Sequence, residues 1–122
     1  MANAYALILT NDDQNSADLR AQLIQAQWDC GVTTDLVKAW RFLSRHRATV
    51  IFVDYRNVAG IGLRVLQMLA ENGIQAPVIY VSQSEDMPDS VQAMERGAFD
   101  VLARPVTQES LLRALGQIVL SV

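Results

Sequence analysis

The chain of 122 residues contains one cysteine, Cys30, and one histidine, His46. A disulfide within the chain is therefore excluded, and so is a zinc site built from several cysteine and histidine ligands. The sequence has no apolar run near the roughly 20 residues that span a membrane. It also lacks the basic start and apolar segment of a secretory signal. We expect a cytoplasmic protein with no membrane contact.

Basic residues are scarce as well. The chain has 10 Lys and Arg against 13 Asp and Glu, which gives a net charge of −3. This balance argues against direct binding of nucleic acid by the domain. With 51% hydrophobic residues the composition is that of a globular protein. We expect one domain over residues 1–122, which leaves open that it is the N-terminal part of a longer protein.

Short apolar runs alternate along the chain with amphipathic runs. Ser16, Thr34 and Thr107 are predicted to begin helices, and Gly73 to end one. Alternation of this kind predicts a parallel sheet with helices on both faces. The five predicted strands are Ala4–Thr10, Cys30–Val32, Thr49–Val53, Pro77–Val81 and Phe99–Ala103.

Polar side chains follow four of these five runs. In parallel sheets ligands bind beyond the carboxyl ends of the strands. Two carboxylates there suit Mg²⁺, a hydroxyl and a guanidinium suit a phosphoryl group, and a carboxylate can accept one. Asp and Asn are also common turn and cap residues, so an ordinary structural role remains the alternative. The residues concerned are Asn11, Asp12, Asp13, Asp54, Ser82 and Arg104.

Three stretches resemble the receiver domain of two-component response regulators, a CheY-like domain. They are Ala93–Pro105 (AMERGAFDVLARP), Asp54-Tyr55-Arg56 with Gly62-Leu63 after it, and Pro77–Ser82 (PVIYVS). The resemblance extends from Ala4 to Val119. It implies an α/β protein with the (βα)₅ flavodoxin-like fold, a three-layer sandwich whose five-stranded parallel sheet has the order 2-1-3-4-5.

The resemblance also implies roles for individual residues. Asp54 would accept a phosphoryl group from a sensor histidine kinase or a phosphotransfer protein. Mg²⁺ would be held by Asp12, Asp54 and the backbone carbonyl of Arg56, with Asn11 acting through a water molecule. Ser82, the switch hydroxyl, and Arg104 would bind the phosphoryl group. The side chains expected to modulate the site are those of Arg56, Gln83, Ser84 and Val101.

By the same resemblance, the signal would pass through the helix 4–strand 5–helix 5 face, between Val91 and Val119. An output domain or a second copy of the chain would dock there. Asp86-Met87-Pro88, before the fourth helix, is similar to receivers joined to DNA-binding output domains. The chain would then belong to a transcription regulator.

Several site residues depart from the family pattern. Asn11 stands where the first acid belongs, which removes one negative charge from the metal site. Arg104 replaces a nearly universal lysine, and the chain's single lysine, Lys38, lies far away in the second predicted helix. Gln83 and Val101 replace a small residue and an aromatic. These departures keep an alternative open, namely a pseudo-receiver that acts as a phosphorylation-independent protein-interaction module.

Two other classes fit less well, and we expect no enzymatic activity. Phosphatases of the haloacid dehalogenase type need a second aspartate two positions after the nucleophile, where this chain has Arg56. A flavin-binding protein would need a phosphate-binding loop after the first strand. The carboxylates of Asp12 and Asp13 would repel phosphate there.

Overall fold

The computed structural model describes residues 4–56, 60–82 and 89–120. Five parallel strands form one sheet in the order β2-β1-β3-β4-β5, which confirms the predicted order. The strands are β1 Tyr5–Thr10, β2 Asp29–Thr33, β3 Val50–Asp54, β4 Val78–Ser82 and β5 Asp100–Ala103.

Helices cover both faces of the sheet. One apolar cluster joins it to α1 and α5, and the other joins it to α2, α3 and α4. This is the predicted (βα)₅ sandwich of three layers. The helices are α1 Ala17–Gln25, α2 Leu36–Leu43, α3 Ile61–Glu71, α4 Asp89–Glu95 and α5 Gln108–Leu120, and a 3₁₀ turn, Asp13–Ser16, precedes α1. None of the described helices is long and apolar enough to cross a membrane.

The central strand β3 shows why the unbroken apolar runs form this sheet. All five of its residues are buried. Ile51 and Val53 pack under one layer of helices, whereas Val50 and Phe52 pack under the other. Successive side chains of a strand point to opposite faces, so a strand covered on both sides is apolar throughout.

The helix ends follow the predictions in part. Gly73 follows α3 with a φ of 70°, and the Thr107 hydroxyl accepts a hydrogen bond from the Ser110 N–H at 3.1 Å before α5. The prediction for α2 was off by one residue. Asp35, and not Thr34, caps it by accepting from the N–H groups of Val37 and Lys38 at 2.9 and 3.3 Å. A carboxylate is an equally good cap, and only the backbone path decides between neighbours.

Ser16 precedes α1 as predicted, but its hydroxyl makes no capping bond. The preceding 3₁₀ turn is capped by Asp12, whose carboxylate accepts from the Gln14 N–H at 3.0 Å. Ser16 is fully buried and turns inward to the carboxyl edge of the sheet. Its side chain thereby becomes available to the candidate site.

Candidate functional site

The carboxyl ends of the strands bring most of the predicted site residues to one edge of the sheet. Thr10 lies opposite Asp54 in the β1–β3 pair, so Asn11 and Asp12 follow beside it. Ser82 lies opposite Ala103 in the β4–β5 pair, so Arg104 follows next to it. Gln83 and Ser84 lie outside the described residues, as do Asp86, Met87 and Pro88.

Asp54 ends β3 and is fully buried. Its Oδ2 atom forms an ion pair with the Arg104 guanidinium and accepts a hydrogen bond from the Ser16 hydroxyl at 2.7 Å. The other carboxylate oxygen, Oδ1, is buried and has no hydrogen-bond partner among the described residues. One oxygen of Asp54 is therefore held, and the other keeps its capacity to accept.

Two arginines meet above this carboxylate. The guanidinium groups of Arg56 and Arg104 donate to the same acceptor, the backbone carbonyl of Asn15, at 2.8 and 3.1 Å. The Nε atoms of both arginines are buried, and within the described residues neither has an acceptor. The region therefore combines two positive charges with hydrogen-bond donors that protein groups leave unused.

Asn11 joins two of the loops that form the site. Its Nδ2 donates to the Arg56 carbonyl at 2.6 Å, and its Oδ1 accepts from the Arg56 N–H at 3.0 Å. This two-bond clamp fixes the backbone directly after Asp54. The Arg56 carbonyl, expected to bind metal, is thus already engaged by a side chain.

The donors present fit a Mg²⁺ site of the expected composition poorly. The Asp12 carboxylate lies at the exposed start of the 3₁₀ turn, where it accepts a hydrogen bond from the Gln14 N–H. Oδ2 of Asp54 already faces a cation, Arg104, whose charge opposes a second cation at the same carboxylate. Within residues 4–56, 60–82 and 89–120, no three His, Cys, Asp or Glu side chains group as metal ligands.

The β4 side of the site is tied to α4 through Asp89. The Tyr80 hydroxyl donates to its Oδ2 at 2.9 Å, and the Ser82 hydroxyl approaches its Oδ1 at 3.4 Å. Burial of Tyr80, followed by its hydrogen bond to Asp89, raises the pKa of the Tyr80 phenol. The predicted switch hydroxyl, Ser82, is therefore linked to the first residue of α4.

Two clefts include predicted site residues, the first Arg56 and Arg104 and the second Val101. One, of about 360 Å³, lies between α1 and the segment after β5 and is lined by Asp18, Leu19, Arg56, Arg104, Pro105 and Val106. The other, of about 600 Å³, lies along α4 and β5 and is lined by Ser90, Val91, Met94, Glu95, Asp100 and Val101. Val101, expected to modulate the site, thus lies on the α4 side of β5, opposite Tyr80.

Three residues at this edge were not predicted from the sequence. Ser16 was expected only to begin a helix, and Asn15 and Asp89 were given no role. The spacing of Ser16 could have indicated its role. It lies three residues before Leu19, and Leu19 and Leu23 form the buried face of α1, so helical periodicity places Ser16 on that same face. A hydroxyl in such a stripe needs a buried partner.

Comparison with known proteins identifies the family to which this fold belongs. A family model described as the response regulator receiver domain matches residues 7–116. The transcriptional regulatory protein TdiR of Thauera aromatica is 37% identical over 70 residues, covering 57% of this chain and 30% of TdiR. The C4-dicarboxylate transport transcriptional regulatory protein DctD of Rhizobium meliloti is 28% identical over 118 residues, covering 93% of this chain and 25% of DctD. The chain thus spans less than a third of the length of these two relatives.

Solved structures have the same fold. The receiver domain of Francisella response regulator 1452 superposes with a TM-score of 0.81 at 20% identity, covering 98% of this chain and all of that one, 100%. The receiver domain of sensor histidine kinase PA1611 from Pseudomonas aeruginosa PAO1, described with magnesium in its active-site cleft, gives 0.78 at 24% identity, covering 97% and 98%. The family match over most of the chain, on this fold, means that the protein belongs to the receiver domains of two-component response regulators.

Proposed function

We propose that this receiver domain accepts a phosphoryl group on Asp54 from a phosphohistidine of a sensor kinase or phosphotransfer protein in the cytoplasm. It passes the change through the α4–β5–α5 face to an output domain or to a second copy of the chain. The observation that carries the proposal is the Asp54 carboxylate at the end of β3, with one oxygen unpartnered and a guanidinium beside it.

The surrounding residues support nucleophilic attack by Asp54. Ser16 and Arg104 hold Oδ2, which orients the carboxylate and leaves Oδ1 to attack phosphorus. Arg104 and the Ser82 hydroxyl supply donors for the oxygens of the transferred group, which gain charge in the transition state. Because Asp54 is fully buried, the site has to open locally before the donor phosphorus can reach Oδ1.

Asp89 supplies a route from the site to α4. The Ser82 hydroxyl has a single proton to donate, and it now lies toward Oδ1 of Asp89. Donation to a phosphoryl oxygen would therefore weaken its contact with α4. Tyr80 would keep its own bond to Asp89. Phosphorylation would thus favour a second position of α4. This coupling would not need the aromatic side chain that the family has where this chain has Val101.

The expected Mg²⁺ ion, with Asp12, Asp54, the Arg56 carbonyl and Asn11 as ligands, stays a prediction from the family resemblance. Two of these groups, the Arg56 carbonyl and the Asp12 carboxylate, already accept hydrogen bonds from the protein, and the positive charge of Arg104 beside Asp54 disfavours a second cation. The similarity to response regulators that regulate transcription favours phosphoacceptance over the phosphorylation-independent alternative. Failure of the chain to become phosphorylated would favour that alternative instead.

The test is intact mass after incubation of the chain with acetyl phosphate, in parallel with and without Mg²⁺. We expect one added phosphoryl group on the wild type and none on Asp54→Ala. Asp29→Asn, at the exposed start of β2 on the opposite edge of the sheet, is the matched control and should be modified like the wild type. Absence of modification in every condition, with the fold intact by circular dichroism, would contradict the proposal.

A further inference from the structure

We propose that Arg56 and Arg104 form an anion-binding fork that takes the place of the divalent cation, so that phosphoryl transfer to Asp54 needs no metal. The inference rests on the proposed function and concerns the same site. It assigns the two guanidinium groups to the oxygens of the incoming phosphoryl group. The fork is defined as the Nε and terminal nitrogens of these two side chains.

The unused donors of the fork point to an anion. Both guanidinium groups reach the Asn15 carbonyl, which holds them together despite their like charges. Both Nε atoms are buried and, in the described part of the chain, lack an acceptor. A phosphoryl group offers three acceptor oxygens and negative charge, and Arg binds such groups with two parallel hydrogen bonds.

The cleft beside the fork has room for a small phosphodonor. Its volume of about 360 Å³ lies within the usual range for ligand sites. Besides the two arginines, the apolar residues Leu19, Pro105 and Val106 line the cleft. Asp18 lies at the same cleft and makes no ion pair with either arginine, so the charge of Arg56 is not neutralised there and, within the described residues, Arg104 is paired with Asp54 alone.

The charges also explain why a metal would be redundant. In a receiver, a divalent cation neutralises the carboxylate and the phosphoryl oxygens so that the two anions can approach. Here Arg104 already neutralises Asp54. Arg56 adds a second positive charge nearby, since its guanidinium donates to the same Asn15 carbonyl as that of Arg104. A divalent cation at Asp54 would meet the repulsion of these guanidinium groups.

The transfer step balances without further reactants. Oδ1 of Asp54 donates an electron pair to phosphorus, and the bond from phosphorus to the donor oxygen or nitrogen breaks with its pair going to the leaving group. From acetyl phosphate the leaving group is acetate, which needs no proton. From phosphohistidine it is the imidazole nitrogen, which takes a proton from solvent. The fork then faces the new aspartyl phosphate.

The experiment compares the rate of phosphorylation by acetyl phosphate in excess EDTA and in excess Mg²⁺, followed by intact mass. We expect the wild type to be modified in both at rates within about twofold of each other, since no metal takes part in the transfer. Calorimetric titration with Mg²⁺ alone should show no saturable binding. Modification confined to Mg²⁺ would overturn the inference and leave the proposed function standing, whereas no modification at all would overturn both.

The variants test the fork itself. Arg56→Gln should slow the reaction in EDTA by about 10²- to 10³-fold, the usual loss for a donor to a charged transition state. Arg113→Gln, an exposed arginine on α5, is the matched control and should leave the rate unchanged. Arg104→Gln leaves a buried carboxylate unpaired and can impair folding. The test of the fork therefore relies on Arg56→Gln.

The dependence on metal separates a direct role from a structural one. Where one guanidinium of the fork is missing, added Mg²⁺ should restore part of the rate of Arg56→Gln, because it supplies the lost charge. A slower reaction that Mg²⁺ does not improve, or an unchanged rate in EDTA, would overturn the role of Arg56.

Discussion

The Arg104–Asp54 ion pair dominates the site at the scale of single residues. Asp54 is 0% exposed, and the Arg104 side chain is 13% exposed. An ion pair at this depth adds little net stability over apolar replacements, because both charges lose their hydration. Removing one partner is costly, since the other charge remains buried and uncompensated. The pair therefore makes its residues hard to change one at a time.

This asymmetry predicts the stability of Arg104 variants. Arg104→Met should lower the free energy of unfolding by about 3 kcal/mol, because it strands the Asp54 charge. The double variant with Asp54→Asn should recover most of that loss. Urea denaturation measures both. An equal loss in the single and double variants would show that the cost comes from packing of the arginine side chain and not from the charge.

The thiol of Cys30 supplies a prediction on pH. Burial raises the pKa of Cys30 from its ordinary 9.0 to about 11, against a smaller opposing effect of Arg20. The folded thiol therefore keeps its proton where the unfolded one has lost it. The resulting stability is present below pH 9.0 and is lost as the pH rises toward 11.

Alkylation by iodoacetamide, followed by mass, checks this prediction. The rate on the folded chain should rise with a midpoint near pH 11, because only the thiolate reacts. The chain unfolded in urea serves as the control, with a midpoint near the ordinary value. A folded midpoint at or below that of the unfolded chain would contradict the assignment.

At the scale of secondary-structure elements, close approach of α3 to β4 depends on Gly62. A Cβ atom at Gly62 would lie 3.0 Å from Cε1 and 3.2 Å from the hydroxyl oxygen of Tyr80. The Tyr80 ring cannot withdraw freely, since its hydroxyl is bonded to Asp89 at 2.9 Å. Gly116 in α5 is a natural contrast, because a Cβ there meets nothing within 4 Å.

The two glycines should therefore respond to alanine in opposite directions. Gly62→Ala should lower the free energy of unfolding by about 1 kcal/mol, as added atoms in a packed site do. Gly116→Ala should raise it by about 0.5–1 kcal/mol through helix propensity. Thermal or urea unfolding of both variants gives the comparison. A gain at Gly62 would mean that α3 shifts away from β4 at little cost.

The elements themselves were largely predictable from the chain. Each of the five predicted runs became a strand within one or two residues of its predicted ends. In β1, β3 and β4, burial on both faces demands an unbroken apolar run, whereas the edge strands β2 and β5 are only partly buried. The α2 cap was displaced from Thr34 to Asp35, and the role of Ser16 was wrong. Both errors concern which of several polar groups bonds where, and this depends on backbone position.

At the scale of the whole molecule, the α4–β5–α5 face is the expected surface for a partner. Val91 and Met94 are exposed and line the cleft of about 600 Å³ between α4 and β5. Leu112 of α5 is exposed as well. Apolar side chains grouped at the rim of a cleft favour contact with another protein surface. If α4 moves on phosphorylation, the affinity of this face changes with it.

We predict that incubation with acetyl phosphate raises the fraction of dimer, measured by size exclusion with light scattering. Val91→Glu should abolish the rise by placing a charge in the contact. Val37→Glu, equally exposed but on α2, is the matched control and should behave like the wild type. Dimerisation that persists in Val91→Glu would rule out this face as the contact between copies.

The sequence by itself determined the alternation of strands and helices. Apolar runs alternating with amphipathic ones predict a parallel sheet between helices, and the polar residues at the strand ends, Asp54, Ser82 and Arg104, predict the edge at which a site would lie. Which polar groups contact one another was decided only by the tertiary structure. The clamp of Asn11 on Arg56 and the bond from Ser16 to Asp54 join positions 45 and 38 residues apart. No periodicity along the chain encodes such pairs, because they follow from how the loops pack once the sheet has formed.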